Sequence, residues 1–380
     1  MTDLLRQEIA TAATTIVVKI GTRVLTQENG QLNAGRIEQL AEQVQKVIST
    51  GRKVVLVSSG AVGAGMGRLG LKRRPQDVAH LQAVAAIGQS LLVEAYERSL
   101  RTHGGHHAAQ VLLTAEDLEH RTRYLNARNT LLTLLEIGAV PVINENDTVA
   151  VDELKITYGD NDRLAAIVTN LIRAPLLVLL SDVDGLYDGD PAGAGSRLIP
   201  LVERLDHSVL GLVRDRAGGL GTGGMASKLE AARLVTAAGE NVIIAGGRNP
   251  DVLPRIIAGE TVGTLFLARG QTVAARKRWI GLTVEPRGRL VLDAGAREAI
   301  ERDGRSLLPI GVVEVEGDFS KGDVIALRGP DGTEFARGLT NYASDDIRRI
   351  KGLRTGRIAA ALGHCPYDEV IHRDNMVVTS

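Results

Sequence analysis

Only one cysteine, Cys365, occurs in the chain. No internal disulfide can form, which fits a reducing compartment. Charge of one sign is missing as well: 45 basic residues offset 45 acidic ones. No overall field therefore gathers nucleic acid or an anionic membrane. Met1 to Thr15 has no apolar core of a secretory signal, and the apolar runs read as strands and helices well short of a membrane span. These absences lead us to expect a soluble cytoplasmic protein with no membrane partner. Low-complexity tracts and short-period repeats are lacking too. His103, His106, His107 and Cys365 do not have the spacing of a closed zinc site, so no protein-held metal is expected. No G-x-S-x-G elbow is present, which removes the usual serine hydrolase signature.

What remains is ordinary globular material. The chain has 380 residues, 44% hydrophobic and 24% charged, enough for two domains and a large core. The first two-thirds alternates short apolar runs with helical periodicity. Thr15 to Ile20 reads as a buried strand. Ile37, Leu40, Ala41, Val44, Val47 and Ile48 then follow i, i+3, i+4, i+7 spacing, the mark of an amphipathic helix. Lys53 to Ser58, Val140 to Ile143, Leu176 to Leu180 and Asn241 to Ala245 are further continuous apolar strands. Helical patterns run roughly through 77–102 and 122–137. Strands this apolar are covered on both faces, which predicts an α/β fold with an open, mostly parallel sheet sandwiched by helices.

Ligands in such sheets bind beyond the carboxyl ends of the strands. Those ends carry Lys19 and Gly21; Ser58, Ser59 and Gly60; Asn144, Glu145, Asn146 and Asp147; Ser181 and Asp182; Gly246 and Gly247. One polar strand end means little, because strands commonly end in turns. Five on the same side favour one site at one edge of the sheet.

After about residue 270 the strand-like runs become short and turn-punctuated: 282–284, 290–292, 312–315, 324–327 and 334–339. A small β-barrel is expected there. The boundary falls within the aperiodic stretch Ala268 to Arg278, giving domains of 1–270 and 271–380.

The richest local signal is Gly219-Leu220-Gly221-Thr222-Gly223-Gly224-Met225-Ala226-Ser227-Lys228, just before an apolar-periodic helix. Glycines let backbone N–H groups approach a polyanion, and a helix start adds orphan donors and the positive end of its dipole. The pattern is neither the G-x-x-x-x-G-K-[ST] phosphate loop nor the G-x-G-x-x-G dinucleotide turn. It reads either as a phosphate-binding turn of another fold or as a glycine-rich surface loop with a solvated lysine.

Lys19 ends an apolar strand. Such a lysine either snorkels into solvent or uses its charge. With Lys228 as a second cation, the pair can neutralise the negative charge of a transferring phosphoryl group. Gly159-Asp160-Asn161-Asp162 begins a helix, where Asp and Asn serve as caps. An aspartate there can also hold two lysines at a fixed separation. Asn144 to Asp147 is either an Asx-rich turn or a mix of carboxamide and carboxylate suited to a zwitterionic amino acid. Ser58 to Ala61 offers hydroxyl and backbone donors of the same use. Ser181-Asp182 is either a strand-end turn or a contact for a nucleotide or its Mg²⁺ shell. The basic run Arg348, Arg349, Lys351, Arg354 and Arg357 is either a solvated helix face or an RNA contact. The nearly neutral tail gives little of the field that RNA binding needs.

The segments VVKIGTRVL (17–25), SSGAVGAG (58–65), PVINEND (141–147), GDND (159–162), SDVDGLY (181–187) and GLGTGGMASK (219–228) occur in this order. Together they resemble the amino acid kinase family, and within it the branch that phosphorylates the side-chain carboxylate of glutamate. SLLPIGVVEVEGDFSKGD (306–323) and GLTNYASDDIRRI (338–350) resemble that branch's C-terminal PUA domain, a small β-barrel. The resemblance implies ATP as co-substrate with Mg²⁺, L-glutamate as acceptor and L-glutamyl 5-phosphate as product, the first step of L-proline biosynthesis. It also implies L-proline as feedback inhibitor and a homodimer or homotetramer; RNA binding by the PUA domain stays open but, with a nearly neutral tail, is not expected. Lys19, Lys228 and Asp162 take the catalytic roles. Lys19, Ser181, Asp182 and Thr222, Gly223, Gly224, Met225, Ala226, Ser227 and Lys228 contact ATP. Ser59, Asp147 and Asn161 bind glutamate. Ser181 stands where the family also uses threonine, and the hydroxyl is retained.

Overall fold

The structure, a computed structural model, describes residues 3–27, 30–149, 161–191, 193, 195–214, 224–268, 280–281, 284–364 and 367–379. The chain divides into two compact units, Met1–Thr272 and Val273–Ser380.

In the first unit the elements are α1 (Leu4–Ala12), β1 (Thr15–Ile20), α2 (Thr22–Leu25), α3 (Ala34–Ile48), β2 (Lys53–Ser58), α4 (Ala61–Leu69) and α5 (Val78–Gly104). There follow β3 (Ala108–Leu113), α6 (Ala115–Glu119), α7 (Arg121–Glu136), β4 (Val140–Glu145), α8 (Asn161–Ile172), β5 (Leu176–Ser181) and β6 (Leu201–Val202). The unit closes with α9 (His207–Arg214), α10 (Met225–Ala237), β7 (Asn241–Gly246), α11 (Val252–Ile257) and β8 (Thr264–Phe266).

Eight strands pair in the order β3-β4-β2-β1-β5-β7-β8-β6. The pairings from β3 to β7 are all parallel, and only β8 runs against its neighbour β7. Successive side chains leave a strand on opposite faces, and here each face is apolar for its own helices. Ile16, Val18, Ile20, Val54, Leu56, Val140 and Val142 pack with Leu40 and Val44 of α3 and with Leu92, Tyr96 and Leu100 of α5. Val17, Lys19, Val57, Leu179 and Ser181 leave on the other face, where α8 and α10 contact the sheet. Each fully buried Leu or Ile in such a layer contributes about 1.5–3 kcal/mol. Lys19 is thus a buried cation on a covered apolar strand, and it leaves toward α8 and α10.

One expectation is corrected. Helix α5 has 27 residues and is long and apolar enough, by length and composition, to cross a membrane. Its apolarity has a structural use: Leu81, Val84, Ala85, Leu92, Tyr96 and Leu100 are buried in the unit. Glycines bring α4 and α5 into backbone contact. A Cβ on Gly65 would lie 1.9 Å from the Val84 carbonyl oxygen, and one on Gly88 would lie 1.8 Å from that of Ala61. Gly60, between β2 and α4, has φ of +113°, a conformation natural only to glycine.

The second unit has its own sheet. Its elements are β9 (Gly288–Leu292), α12 (Ala294–Glu301), β10 (Val312–Glu316), β11 (Val324–Arg328), β12 (Glu334–Leu339), α13 (Ser344–Ile350), α14 (Ile358–Leu362) and β13 (Met376–Val378). The strands pair in the order β10-β9-β11-β12-β13 around Leu290, Leu327, Phe335, Ile347 and Ile371. The expected strand 282–284 falls largely outside the described residues, as do Gly159, Asp160, Thr222 and Gly223.

Candidate active site

The carboxyl ends of β1, β2, β4 and β5 and the N-terminal turns of α8 and α10 bring expected site residues together, Lys19, Ser59, Asn161, Asp162, Ser227 and Lys228 among them. Lys19 Nζ lies 2.6 Å from Asp162 Oδ1, and Lys228 Nζ lies 3.1 Å from Asp162 Oδ2. All three side chains are buried, Asp162 almost completely at 1% exposure. Asp162 sits in the first turn of α8, where the helix dipole favours a negative charge. Lys228 sits near the start of α10, where the same dipole disfavours a cation. The carboxylate of Asp162 offsets that penalty.

Burial pushes the Asp162 carboxyl upward. Lys19, Lys228 and the Ser227 hydroxyl outweigh it, so its pKa lies below the usual carboxylate range. Ser227 Oγ donates to Asp162 Oδ2 at 2.7 Å and also lies 3.0 Å from the Gly224 carbonyl oxygen. The glycine-rich segment and the GDND segment thus meet on one carboxylate.

Beside this centre lies a carboxamide chain. Asn161 Nδ2 donates to Ser59 Oγ at 2.8 Å and to Asn144 Oδ1 at 3.1 Å. Asn144 Nδ2 donates in turn to Gln89 Oε1 of α5 at 2.9 Å. Ser59, Asn144 and Asn161 are buried. Asp147 is half-buried just beyond β4. Burial pushes its carboxyl up to about 6, against the pull of Arg74.

On the β5 side, Ser181 Oγ donates to Asp182 Oδ1 at 3.2 Å, and Arg23 of α2 pairs with Asp182 Oδ2 at 2.9 Å. Burial raises the Asp182 carboxyl, but the hydrogen bond and charge of Arg23, a backbone hydrogen bond and the Ser181 hydroxyl together outweigh it, and its pKa is lowered. Met225 and Ser227 are half-buried, while Gly224 and Ala226 are exposed. Sequence reasoning missed Gln89, Tyr96 and Arg23. A periodic signal existed for two of them: Gln89 and Tyr96 are polar groups at i and i+7 on the core-facing side of an apolar helix.

Three members of the basic run of the second unit make internal contacts. Arg348 pairs with Asp345 and Asp318 at 2.8 and 3.0 Å. Arg349 donates to the Ala361 carbonyl, and Lys351 donates to that of Val313 at 3.2 Å.

Two ammonium groups thus sit on one buried carboxylate at the carboxyl edge of a parallel sheet sandwiched by helices, an arrangement in keeping with a small-molecule kinase. Residues 14–246 match the amino acid kinase family, and the chain belongs to it. Residues 288–362 match the PUA domain. The chain is 50% identical to the glutamate 5-kinase of Rhodopirellula baltica over 374 residues, 98% of this chain and 96% of that protein. It is 48% identical to that of Geobacter sulfurreducens, covering 98% of this chain and all of the relative. Among solved structures, the carbamate kinase of Giardia lamblia bound to AMP-PNP aligns over 68% of this chain and 100% of its own. That alignment has a TM-score of 0.50 at 18% identity, which speaks for the fold alone.

Proposed function

We propose that this chain transfers the γ-phosphoryl group of ATP to the γ-carboxylate of L-glutamate, giving L-glutamyl 5-phosphate, the first step of L-proline biosynthesis. The observation that carries the reading is the Lys19–Asp162–Lys228 cluster. The full-length likeness to glutamate 5-kinases selects the acceptor.

In this reaction a γ-carboxylate oxygen forms a bond to the γ-phosphorus, the bond from that phosphorus to the β,γ-bridging oxygen breaks, and ADP leaves. Negative charge spreads over the phosphoryl oxygens during transfer, so positioned cations do most of the work. Lys19 and Lys228 supply them, and Asp162 holds both ammonium groups in place before substrate arrives. ATP contacts fall to Lys19, Ser181, Asp182 and the run Thr222 to Lys228. Glutamate contacts fall to Ser59, Asp147 and Asn161. Their chemistry suits a zwitterion: a carboxylate and a carboxamide oxygen accept from an ammonium, and a hydroxyl donates to a carboxylate.

No three His, Cys, Asp or Glu side chains converge among the described residues. Such a donor set suits Mg²⁺ that arrives with the nucleotide, held mainly by phosphate oxygens and water. When bound, that ion neutralises phosphate charge. We assign the kinase domain to 1–270 and the PUA domain to 271–380. A cytoplasmic homodimer or homotetramer, inhibited by L-proline near the glutamate site, completes the reading.

The test is direct. Purified protein with Mg-ATP and a panel of glutamate, aspartate, N-acetylglutamate, carbamate and UMP is run with hydroxylamine to trap acyl phosphate. Hydroxamate with glutamate supports the assignment. Turnover only with another acceptor changes the substrate, and no turnover with any removes the reading.

A further inference from the structure

The main chain of Ser59 is held on two sides. Its N–H donates to the Ile20 carbonyl oxygen at 3.3 Å, continuing the ladder from β2 to β1. There β1 ends and the chain leaves into α2, so this ladder has no next donor for the Ser59 carbonyl oxygen. Ser58 Oγ supplies one, at 3.2 Å. Ser58 Oγ in turn lies 2.9 Å from Tyr96 OH of α5. Side chains alternate along a strand. Ser58 therefore faces α5 with Val54 and Leu56, and Ser59 faces α8, where Asn161 Nδ2 lies 2.8 Å from its Oγ.

The direction of this relay follows from its last member. A carbonyl oxygen only accepts, so the bond to Ser59 uses the one proton of Ser58. Ser58 Oγ then accepts from Tyr96. The reverse would strand the Tyr96 proton, because Ser58 Oγ is the one hydrogen-bond partner of that phenol among the described residues. Ser58 and Tyr96 are both fully buried, where a donor without an acceptor is costly. Burial also pushes the Tyr96 phenol above its ordinary value, so it keeps its proton.

We propose that Ser58 and Tyr96 are positioning residues for the acceptor: their hydroxyl relay clamps the Ser59 carbonyl from the core, so that the Ser59 hydroxyl on the opposite face is already in place when glutamate arrives. This rests on the glutamate reading. Neither residue touches substrate. Their effect is on how tightly glutamate binds, and the nucleotide side, built on β5 and α10, is left alone.

The experiment separates positioning from stability with a double-variant cycle on the full-length protein. Glutamate and ATP affinities are read by calorimetry, and stability by the urea midpoint. Ser58→Ala removes the donor to Ser59 and strands the Tyr96 proton. It should weaken glutamate binding about tenfold, the worth of one misplaced charge-assisted hydrogen bond. ATP affinity should stay within about twofold, and the midpoint should fall. Tyr96→Phe leaves the Ser58 bond to Ser59 in place, so glutamate binding should weaken only about two- to threefold. The double variant has no phenol proton to strand. Its midpoint should recover above that of Ser58→Ala, while glutamate affinity stays about tenfold down, at the level of that single variant. Glutamate affinity that recovers together with the midpoint makes the pair merely structural and overturns the proposal. So does unchanged glutamate binding in Ser58→Ala, or equal weakening of glutamate and ATP. A midpoint that does not recover overturns the donor role of Tyr96. Should Ser58→Ala fail to fold, the double variant set against Tyr96→Phe gives the same comparison. If the wild type binds glutamate yet transfers no phosphate, the kinase reading falls while these affinities still decide this one.

Discussion

Lys19 and Lys228 grip opposite oxygens of a single carboxylate, Oδ1 and Oδ2 of Asp162, at 2.6 and 3.1 Å. One lysine ends the first strand of the sheet and the other begins a helix far along the chain. Only the parallel fold brings them together. Their positions are set by a buried counter-ion, so little reorganisation is left for the moment of transfer.

Removing one cation should therefore act on turnover. We expect Lys228→Ala to lower kcat by about 10²–10³-fold, the usual effect of deleting one preorganised charge-stabilising group. KM for glutamate should change little. Lys19→Ala should behave alike, and the double variant should lose much less than the product of the two single losses, because the pair acts as a unit. Steady-state kinetics with circular dichroism as a fold control checks this. An unchanged kcat in either single variant would remove that lysine from the mechanism.

Asp162→Asn should damage the fold as well as the activity. It takes away the carboxylate that faces both buried ammonium groups, and breaking a buried pair from one side costs about 3–5 kcal/mol. The pH dependence has a definite sign. The native carboxyl lies below its ordinary range, so its contribution is complete above the unfolded-state pKa of about 3.9. It declines as pH falls from there toward the lowered native value. Urea midpoints of wild type and Asp162→Asn should differ by a constant amount from pH 5 to 8, about the range of maximal stability, and converge in acid. A difference that widened in acid would contradict the ion-pair account.

The sheet was legible because its interior strands are doubly covered. Val17, Val55 and Leu177 can be read as buried without knowing their partners. The edges were not: β3 is only partly buried (Gln110 exposed), β6 has two residues, and β13 has three. Helix α1 was missed because its anchor is a charge. Buried Arg6 donates to the carbonyls of Val262, Pro200 and Gly263, contacts made across most of the first unit. At the site, Lys19, Asp162 and Lys228 stood out as charges at strand and helix ends. Gln89 and Tyr96 did not, since two polar residues at i and i+7 mark a helix face without showing what it meets. Ser227, expected beside nucleotide, has its hydroxyl on Asp162, a partner that only the tertiary fold supplies.

Asp147 offers a pH test of the substrate side. Its carboxyl is pushed up to about 6 by burial, and it can attract an ammonium only when ionised. Glutamate affinity should therefore strengthen as pH rises through about 6 and level off above 7, one unit past the midpoint. In Asp147→Asn the rise should vanish, with KM for glutamate held high throughout and KM for ATP unaffected. Glutarate, without an ammonium, should show no such rise even in the wild type. Matching pH profiles for glutamate and glutarate would take Asp147 out of ammonium binding.

The contact between α4 and α5 determines where Gln89 stands, and it rests on glycine. A methyl at Gly88 would come within 1.8 Å of the Ala61 carbonyl oxygen and 2.4 Å of the Gly65 nitrogen. Both are backbone atoms with no rotamer to escape into, so the helices must separate. Gly88→Ala should destabilise the protein by about 1–3 kcal/mol or more. Because residue 88 adjoins Gln89, KM for glutamate should rise while KM for ATP stays close to wild type. Gly67→Ala is the matched control. The nearest atoms to its methyl would be those of the Gln31 side chain, from 3.4 Å, and alanine in a helix interior gains about 0.5–1 kcal/mol over glycine. Urea unfolding of the two variants should therefore move in opposite directions. If both destabilised equally, helix propensity and local crowding would not explain the glycines, and the backbone contact between α4 and α5 would lose its place as the feature that holds the substrate side together.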